Sequence, residues 1–155
     1  MINQGLDWKT SHFNELNTKH FHDLIQLRIN VFVVEQNRPY PELDDKDLAA
    51  HHIYASNAEG EVLATARLLP PGISYDIPSI GRVVVREDYR DKKLGHDLMS
   101  YTMEKAIELY PNQDIKISAQ EHLKNYYQKH NFNQISETYL EDGIPHIAML
   151  YSSGK

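Results

Sequence analysis

Residues 80–99 constrain this chain more than any other stretch. They open on the run Ile80-Gly81-Arg82-Val83-Val84-Val85, whose β-branched side chains suit a pleated, buried strand. Leu94, Leu98, Met99, Met103, Ala106, Ile107 and Tyr110 then recur at helical spacing and give the following helix one apolar face. A strand, a short loop and a helix present unpaired N–H groups at the helix start. That end carries roughly half a positive charge and takes up phosphate readily. Gly95 lacks a Cβ, which lets an anion come close. Arg86, Arg90, Lys92 and Lys93 outnumber Glu87, Asp88 and Asp91, so the loop is mildly cationic. The first reading is a pyrophosphate cradle. Many such units bind nothing, however, and a glycine at a helix start also serves a tight turn.

Composition narrows the rest. A chain of 155 residues makes one domain, and 41% hydrophobic with 10% aromatic residues suffices for a real core. A net charge of −6 argues against a general nucleic-acid binder. The absence of cysteine excludes a disulfide framework, a thiolate metal site and a cysteine nucleophile. The first ten residues lack a basic start followed by an apolar core. No apolar run approaches the ~20 residues of a membrane span. A soluble, cytoplasmic protein is expected.

Along the chain, residues 6–13 read as an edge strand, and Thr18 as the cap of a helix starting near Lys19 and running to about Val34. On it Arg28, Phe32 and Glu35 share a face. Residues 36–50, with Pro39, Tyr40, Pro41, Glu42, Asp44, Asp45 and Asp47, form a long loop holding one helical turn. Residues 52–56 and 61–69 read as a hairpin, followed by a strand over 79–86 and the helix to Tyr110. A strand over 115–119 leads into a helix over 121–130, which Asn131 ends in the left-handed conformation. Strands over 134–140 and 147–151 flank the Asp142-Gly143 turn. This order gives a mixed sheet flanked by helices, an α/β or α+β layer protein.

Two windows resemble the GNAT acetyltransferase superfamily. Its coenzyme A loop reads Arg/Gln-x-x-Gly-x-Gly/Ala, and here Arg90-Asp91-Lys92-Lys93-Leu94-Gly95 matches at Arg90 and Gly95, with Lys93 in place of Gly. Its aromatic-Tyr-x-x-x-Gly-Phe signature is similar to Tyr126-Tyr127-Gln128-Lys129-His130-Asn131-Phe132, with Asn131 for Gly. Residues 27–36, then Pro39-Tyr40, Asp44, Asp47 and residues 141–147, resemble the ElaA-like branch of that superfamily. The resemblance covers residues 16–149 and implies a mostly antiparallel central sheet of about six to seven strands flanked by helices. It also implies acetyl-coenzyme A as cofactor and N-acetyltransferase activity toward a primary amine.

On that resemblance, the strand containing residues 82–86 is splayed from its neighbour by a bulge. A free N–H of Val83 or Val84 would stabilise the developing oxyanion, and Val83 and Val85 would pair with the pantetheine arm. Arg90, Asp91, Lys92, Lys93, Leu94, Gly95 and His96 would form the cradle, with Asn125 beside it. Tyr127 aligns with the tyrosine near the thioester sulfur and could donate a proton or a hydrogen bond to it; otherwise Tyr126, Tyr127 and Phe132 are core aromatics. Candidate bases are Glu35 and His146. Glu35 would otherwise bridge to Arg28, and His146 would otherwise make a structural hydrogen bond. Arg28, Phe32, Asp44, Arg67 and Arg82 are the candidate acceptor site; Arg67 and Arg82 would otherwise pair with buried acids. His20 with His22, and His51 with His52, lack metal-ligand spacing, and no metal is expected. The partner expected is a small-molecule or peptide amine, with no nucleic acid and no membrane, and a homodimer is open to the chain. The rivals are a non-catalytic acyl-coenzyme A sensor and an acyl-homoserine lactone synthase.

Overall fold

A strand buried along its whole length, β3 (Val62–Leu69), anchors the sheet. The computed structural model describes residues 5–39 and 41–154. Eight strands form one sheet: β1 (Asp7–His12), β2 (His51–Ser56), β3, β4 (Ser79–Val85), β5 (Ile115–Gln120), β6 (Phe132–Gln134), β7 (Tyr139–Glu141) and β8 (Ile144–Tyr151). Their spatial order is β1-β2-β3-β4-β5-β8-β6, with β7 also paired to β8. Every pairing is antiparallel except that of β4 with β5. The three helices are α1 (Thr18–Ile29), α2 (Leu94–Leu109) and α3 (Lys124–Gln128).

The helices cover both faces because the strands are apolar on both. On one face Leu24, Leu27, Val31 and Phe32, from α1 and its continuation, pack on Tyr54, Val62 and Val84. On the other Leu94, Leu98, Met99, Met103 and Ala106 of α2, with Tyr127 of α3, pack on Ile53, Ala66, Leu68, Ile117, Ile147 and Met149. Burying one such Leu or Ile contributes ~1.5–3 kcal/mol. The expected apolar stripe of α2 holds except at Ile107, which is 43% exposed, while Thr102 is buried in the stripe.

Several boundaries move, each for a local reason. Asn17, not Thr18, caps α1: its side chain accepts the His20 N–H at 2.7 Å. The helical run continues past Ile29 as a π-helical segment, Asn30–Glu35. Phe32 and Glu35 still line one cleft, while Arg28 is taken up in buried pairs with Glu42 and Asp47. The long loop does hold one turn, a 3₁₀ turn at Asp45–Ala49; its Tyr40 lies outside the described residues, as do residues 1–4 at the start of the ten searched for a leader. The helix expected over 121–130 shortens to a 3₁₀ turn, Glu121–Leu123, and α3, with Asn131 left-handed at φ 71° as expected. The strand expected over 134–140 splits into β6 and β7. Between them the Ser136 hydroxyl, not a backbone carbonyl, takes the Ala148 N–H at 2.9 Å. The last strand begins at Ile144, so His146 lies within β8 opposite Gln120 rather than at a strand start. Eight strands therefore stand where about six to seven were expected.

Candidate active site

A left-handed residue, Arg82 at φ 49°, interrupts β4. Across from it Thr65 faces Val84 and Arg67 faces Gly81, so the single residue Ala66 opposes both Arg82 and Val83. This is a β-bulge, and it bends β4 away from its other neighbour. Ser79 with Lys116 is the pair that joins β4 to β5, supported by the Lys116 N–H on the Pro78 carbonyl at 3.0 Å. Beyond it the two strands part. Past the bulge the Arg86 N–H donates to Leu63 at 2.8 Å. The two-residue alternation of an antiparallel ladder then turns the main-chain groups of Val84 toward β3 and those of Val83 and Val85 into the gap. Consistent with this, the Val85 carbonyl accepts a hydrogen bond from Arg90 Nε at 3.0 Å. Of the two N–H groups expected at the oxyanion, that of Val84 is therefore turned to β3 and that of Val83 to the gap.

The gap is a cleft of about 610 Å³. It gathers Phe32, Glu35, Arg82, Val83, Val84, Val85, Arg90, Tyr127 and His146, residues that the sequence scatters over more than a hundred positions. At one end α2 begins. Lys93 takes the left-handed conformation there, φ 60°. The family's usual glycine at that position is thus explained, since a lysine is strained by about 1 kcal/mol in this region. Leu94, Gly95 and His96 start the helix, with Asp97 the first to close an intrahelical bond, N–H to the Lys93 carbonyl at 3.1 Å. A Cβ on Gly95 would meet Tyr126 at 3.7 Å and Val85 at 3.9 Å, ordinary contact distances, so nothing among the described residues demands glycine. The side chains of Asp91 and Lys92 lie outside the described part of the structure.

Two of this loop's four cations are held in internal pairs. Arg86 binds Asp88 and Glu61, and Arg90 binds Glu35 through two hydrogen bonds of 2.6 and 2.9 Å. An anion then meets the row of N–H groups at the start of α2, with the exposed Lys93 beside it. His96 stacks on His130, with Nδ1 and Nε2 2.9 Å apart, and Tyr126 donates to the Gly95 carbonyl, tying α3 to the same turn. Asn125 is exposed on α3 and does not line the cleft.

Three groups in the cleft differ sharply in what they can do. Tyr127 is 7% exposed, and burial pushes its phenol well above the usual range. It is a hydrogen-bond donor at any working pH and a poor base. Glu35 is held below the usual carboxylate range, first by the Arg90 hydrogen bond and then by the Arg90 charge, which together outweigh burial. Its expected bridge to Arg28 is absent, and its oxygens are occupied. His146 places Nδ1 2.7 Å from the Ile144 carbonyl. A carbonyl only accepts, so Nδ1 carries a proton, and in the neutral ring the lone pair is on Nε2. The Glu141 carboxylate lies 3.5 Å from Nε2 and is itself held by Ser118 at 2.8 Å.

Arg28, Asp44 and Arg67 stand outside the cleft, in a buried ion network. Arg28 binds Glu42 and Asp47, both at 2.7 Å. Arg67 binds Asp44 at 2.7 Å and Asp47 at 3.1 Å. Arg82 binds Glu42 through two bonds and lies 4.0 Å over the Phe32 ring. For Asp47, burial alone would raise the carboxyl, but the Arg28 hydrogen bond and the charges of Arg28 and Arg67 bring it below its usual value. The network pins the long loop onto α1, β3 and β4. Asp44 caps the 3₁₀ turn, accepting the Lys46 N–H at 3.1 Å, rather than reaching for an amine. Of the arginines expected at the acceptor, only Arg82 reaches the cleft. Sequence reasoning gave no role to Arg38, Gln120 and Glu141, which line it. Arg38 had a signal, as a basic side chain beside a proline in a loop otherwise rich in acids.

A second groove of about 570 Å³ runs between α1 and the turn joining β2 to β3, lined by Lys19, Asp23, Glu59 and Glu61. It shares Glu35 with the cleft but has neither Tyr127 nor the open side of β4.

A sheet split by a bulge, with a helix start and a buried tyrosine at the split, defines an acyltransferase of the GNAT type. The profile of the acetyltransferase (GNAT) domain matches residues 32–153, and the chain belongs to that family. Within it the chain is similar to the protein ElaA of Escherichia coli K12, 41% identical over 146 residues that cover 93% of this chain and 95% of ElaA. The crystal structure of E. coli ElaA superposes with a TM-score of 0.89 over 95% of this chain and 99% of that one. An acyl-CoA N-acyltransferase from Pseudomonas aeruginosa is 42% identical, with a TM-score of 0.90 over 95% and 99% of the two chains. A CoA-dependent acyl-homoserine lactone synthase has a TM-score of 0.76 over 96% of this chain and 83% of that one, at 18% identity, a likeness of fold alone.

Proposed function

We propose that this acyltransferase moves the acetyl group of acetyl-coenzyme A directly to the primary amine of a small molecule or peptide, in the cytoplasm. The observation that carries the reading is the gap beside β4, where the main-chain groups of Val83 are turned away from β3 next to the start of α2, with those of Val85 on the same side and its carbonyl held by Arg90. The residues fit the group: an amide-bearing arm can pair with β4 as a strand would, and a diphosphate can sit on the first N–H groups of α2, where Gly95 adds no Cβ. Acetyl-coenzyme A supplies a thioester, whose acyl carbon is electrophilic and whose sulfur leaves well.

In the transfer the C–N bond to the amine forms and the C–S bond breaks. The Val83 N–H stabilises the charge gained by the carbonyl oxygen, and losing such a donor typically costs about 10²–10³ in rate. Tyr127 hydrogen-bonds the departing sulfur. Because its burial opposes ionisation, it steadies the thiolate and keeps its own proton. His146 takes the amine proton at Nε2, where the Glu141 carboxylate lies 3.5 Å away. Glu35 serves instead to lock Arg90 and so the loop before α2. With no cysteine in the chain, no thioester-linked acyl-enzyme is formed.

Calorimetry with acetyl-coenzyme A, beside a free-thiol assay over a panel of amines, tests the reading. Heat on mixing and amine-dependent thiol release are expected. The variant Tyr127→Phe should lose about 10²-fold or more in turnover while its affinity for acetyl-coenzyme A changes little. Heat without turnover on any amine would mean a sensor, and unchanged turnover in the variant would make Tyr127 a packing residue.

A further inference from the structure

The chain has six arginines, and five of them pair with carboxylates: Arg28, Arg67, Arg82, Arg86 and Arg90. Arg38 makes no ion pair among the described residues, in a protein of net charge −6. Its position is nevertheless defined. The Arg38 N–H donates to the Val33 carbonyl at 3.0 Å, at the end of the π-helical segment. Its guanidinium lies against the turn between β7 and β8, with Nη1 3.3 Å from where a Cβ on Gly143 would stand. Gly143 has φ +75°, so both its conformation and this close approach favour glycine there.

Arg38 lines the cleft and also a side chamber of about 30 Å³ that opens from it. Gln36, Gln120 and His146 line both spaces. The chamber has none of Val83, Val85, Arg90 or Tyr127 in its walls, so it lies away from the end where α2 begins. It is on the acceptor's side of the cleft. Glu141 and Asp142 share the chamber's walls, yet Arg38 is ion-paired to neither among the described residues. A guanidinium left unpaired in this way, beside two amide side chains and next to the group that takes the amine proton, matches a planar anion carried by the acceptor.

We infer that the acceptor is an amine that also bears a carboxylate, of the amino-acid class, and that Arg38 binds the carboxylate while His146 faces the amine. This rests on the acetyltransfer reading above. An amine with a carboxylate meets both charges it needs in the walls of this chamber, Arg38 for the anion and Glu141 beside His146 for the ammonium before it gives up its proton.

The test uses the full chain with acetyl-coenzyme A and three pairs of acceptors that differ by one carboxylate: glycine and methylamine, lysine and cadaverine, phenylalanine and phenethylamine. Thiol release gives kcat/KM for each. In at least one pair the amino acid should be preferred by roughly ten- to a hundredfold, the worth of a charged hydrogen-bonded contact. Arg38→Ala should erase that preference and Arg38→Lys should keep part of it, with thermal melting to show that both variants fold. A preference that survives Arg38→Ala overturns the inference, as does equal use of both members of every pair. In either case acetyl-coenzyme A still binds and turns over, so the acetyltransfer reading stands. Absence of both heat and thiol release overturns the two together.

Discussion

Asp47 receives both Arg28 and Arg67 while only 1% of its side chain reaches solvent. Breaking a buried pair strands the opposite charge, so Asp47→Asn should destabilise the fold by about 3–5 kcal/mol in urea unfolding. Because the folded carboxyl sits below its usual value, the stability it contributes is complete above about pH 4 and is lost as pH falls through the folded value. The variant should lack that part of the acid limb, and a limb identical to the parent's would place the effect elsewhere. Sequence reasoning reached one half of this network. That Arg67 and Arg82 could meet buried acids follows from their place in inner strands. Which acids they meet does not, because Glu42 and Asp47 come from a loop with no periodicity to fix its path. The same gap hid Arg38, and it led Asp44 to be taken for a ligand of the acceptor when it caps a turn.

At the scale of elements, the strand–loop–helix unit was readable because each part has its own signature: β-branched residues, a charged break and a helical apolar stripe. The π-helical continuation of α1 has none, since one extra residue per turn leaves the same apolar letters in place. The sequence thus leaves Glu35 between a base and a partner of Arg28, and the structure gives it to Arg90. The start of α2 allows a clean separation of folding from binding. Neighbours tolerate a Cβ at Gly95, so Gly95→Ala should melt no lower than the parent and be stabilised by up to about 1 kcal/mol. Its affinity for acetyl-coenzyme A should fall by about tenfold or more, as when a charged hydrogen bond is lost. Unchanged affinity by calorimetry would show that the diphosphate does not rest on this turn.

For the molecule as a whole, three imidazoles are held below their usual range, His52 fully buried and His51 and His130 half-buried. Burial lowers His52, against the opposing effect of the Asp47 carbonyl, and it also lowers His51 and His130. Such groups take up protons in the unfolded chain first. Stability should therefore decline as pH falls below about 6.5, at up to about 1.4 kcal/mol per pH unit for each imidazole that titrates only when unfolded. Urea midpoints at pH 7.5, 6.5 and 5.5 measure this, and a flat series would contradict it.

The sheet is two boards, β1 to β4 and the remainder, that meet at a single rung, Ser79 with Lys116. They resemble the covers of a book held at the spine. A peptide-like arm laid between the open pages would tie cover to cover. Tightness of grip and stiffness of the whole are then one property, and a substitution at the spine, far from any reacting atom, would loosen both.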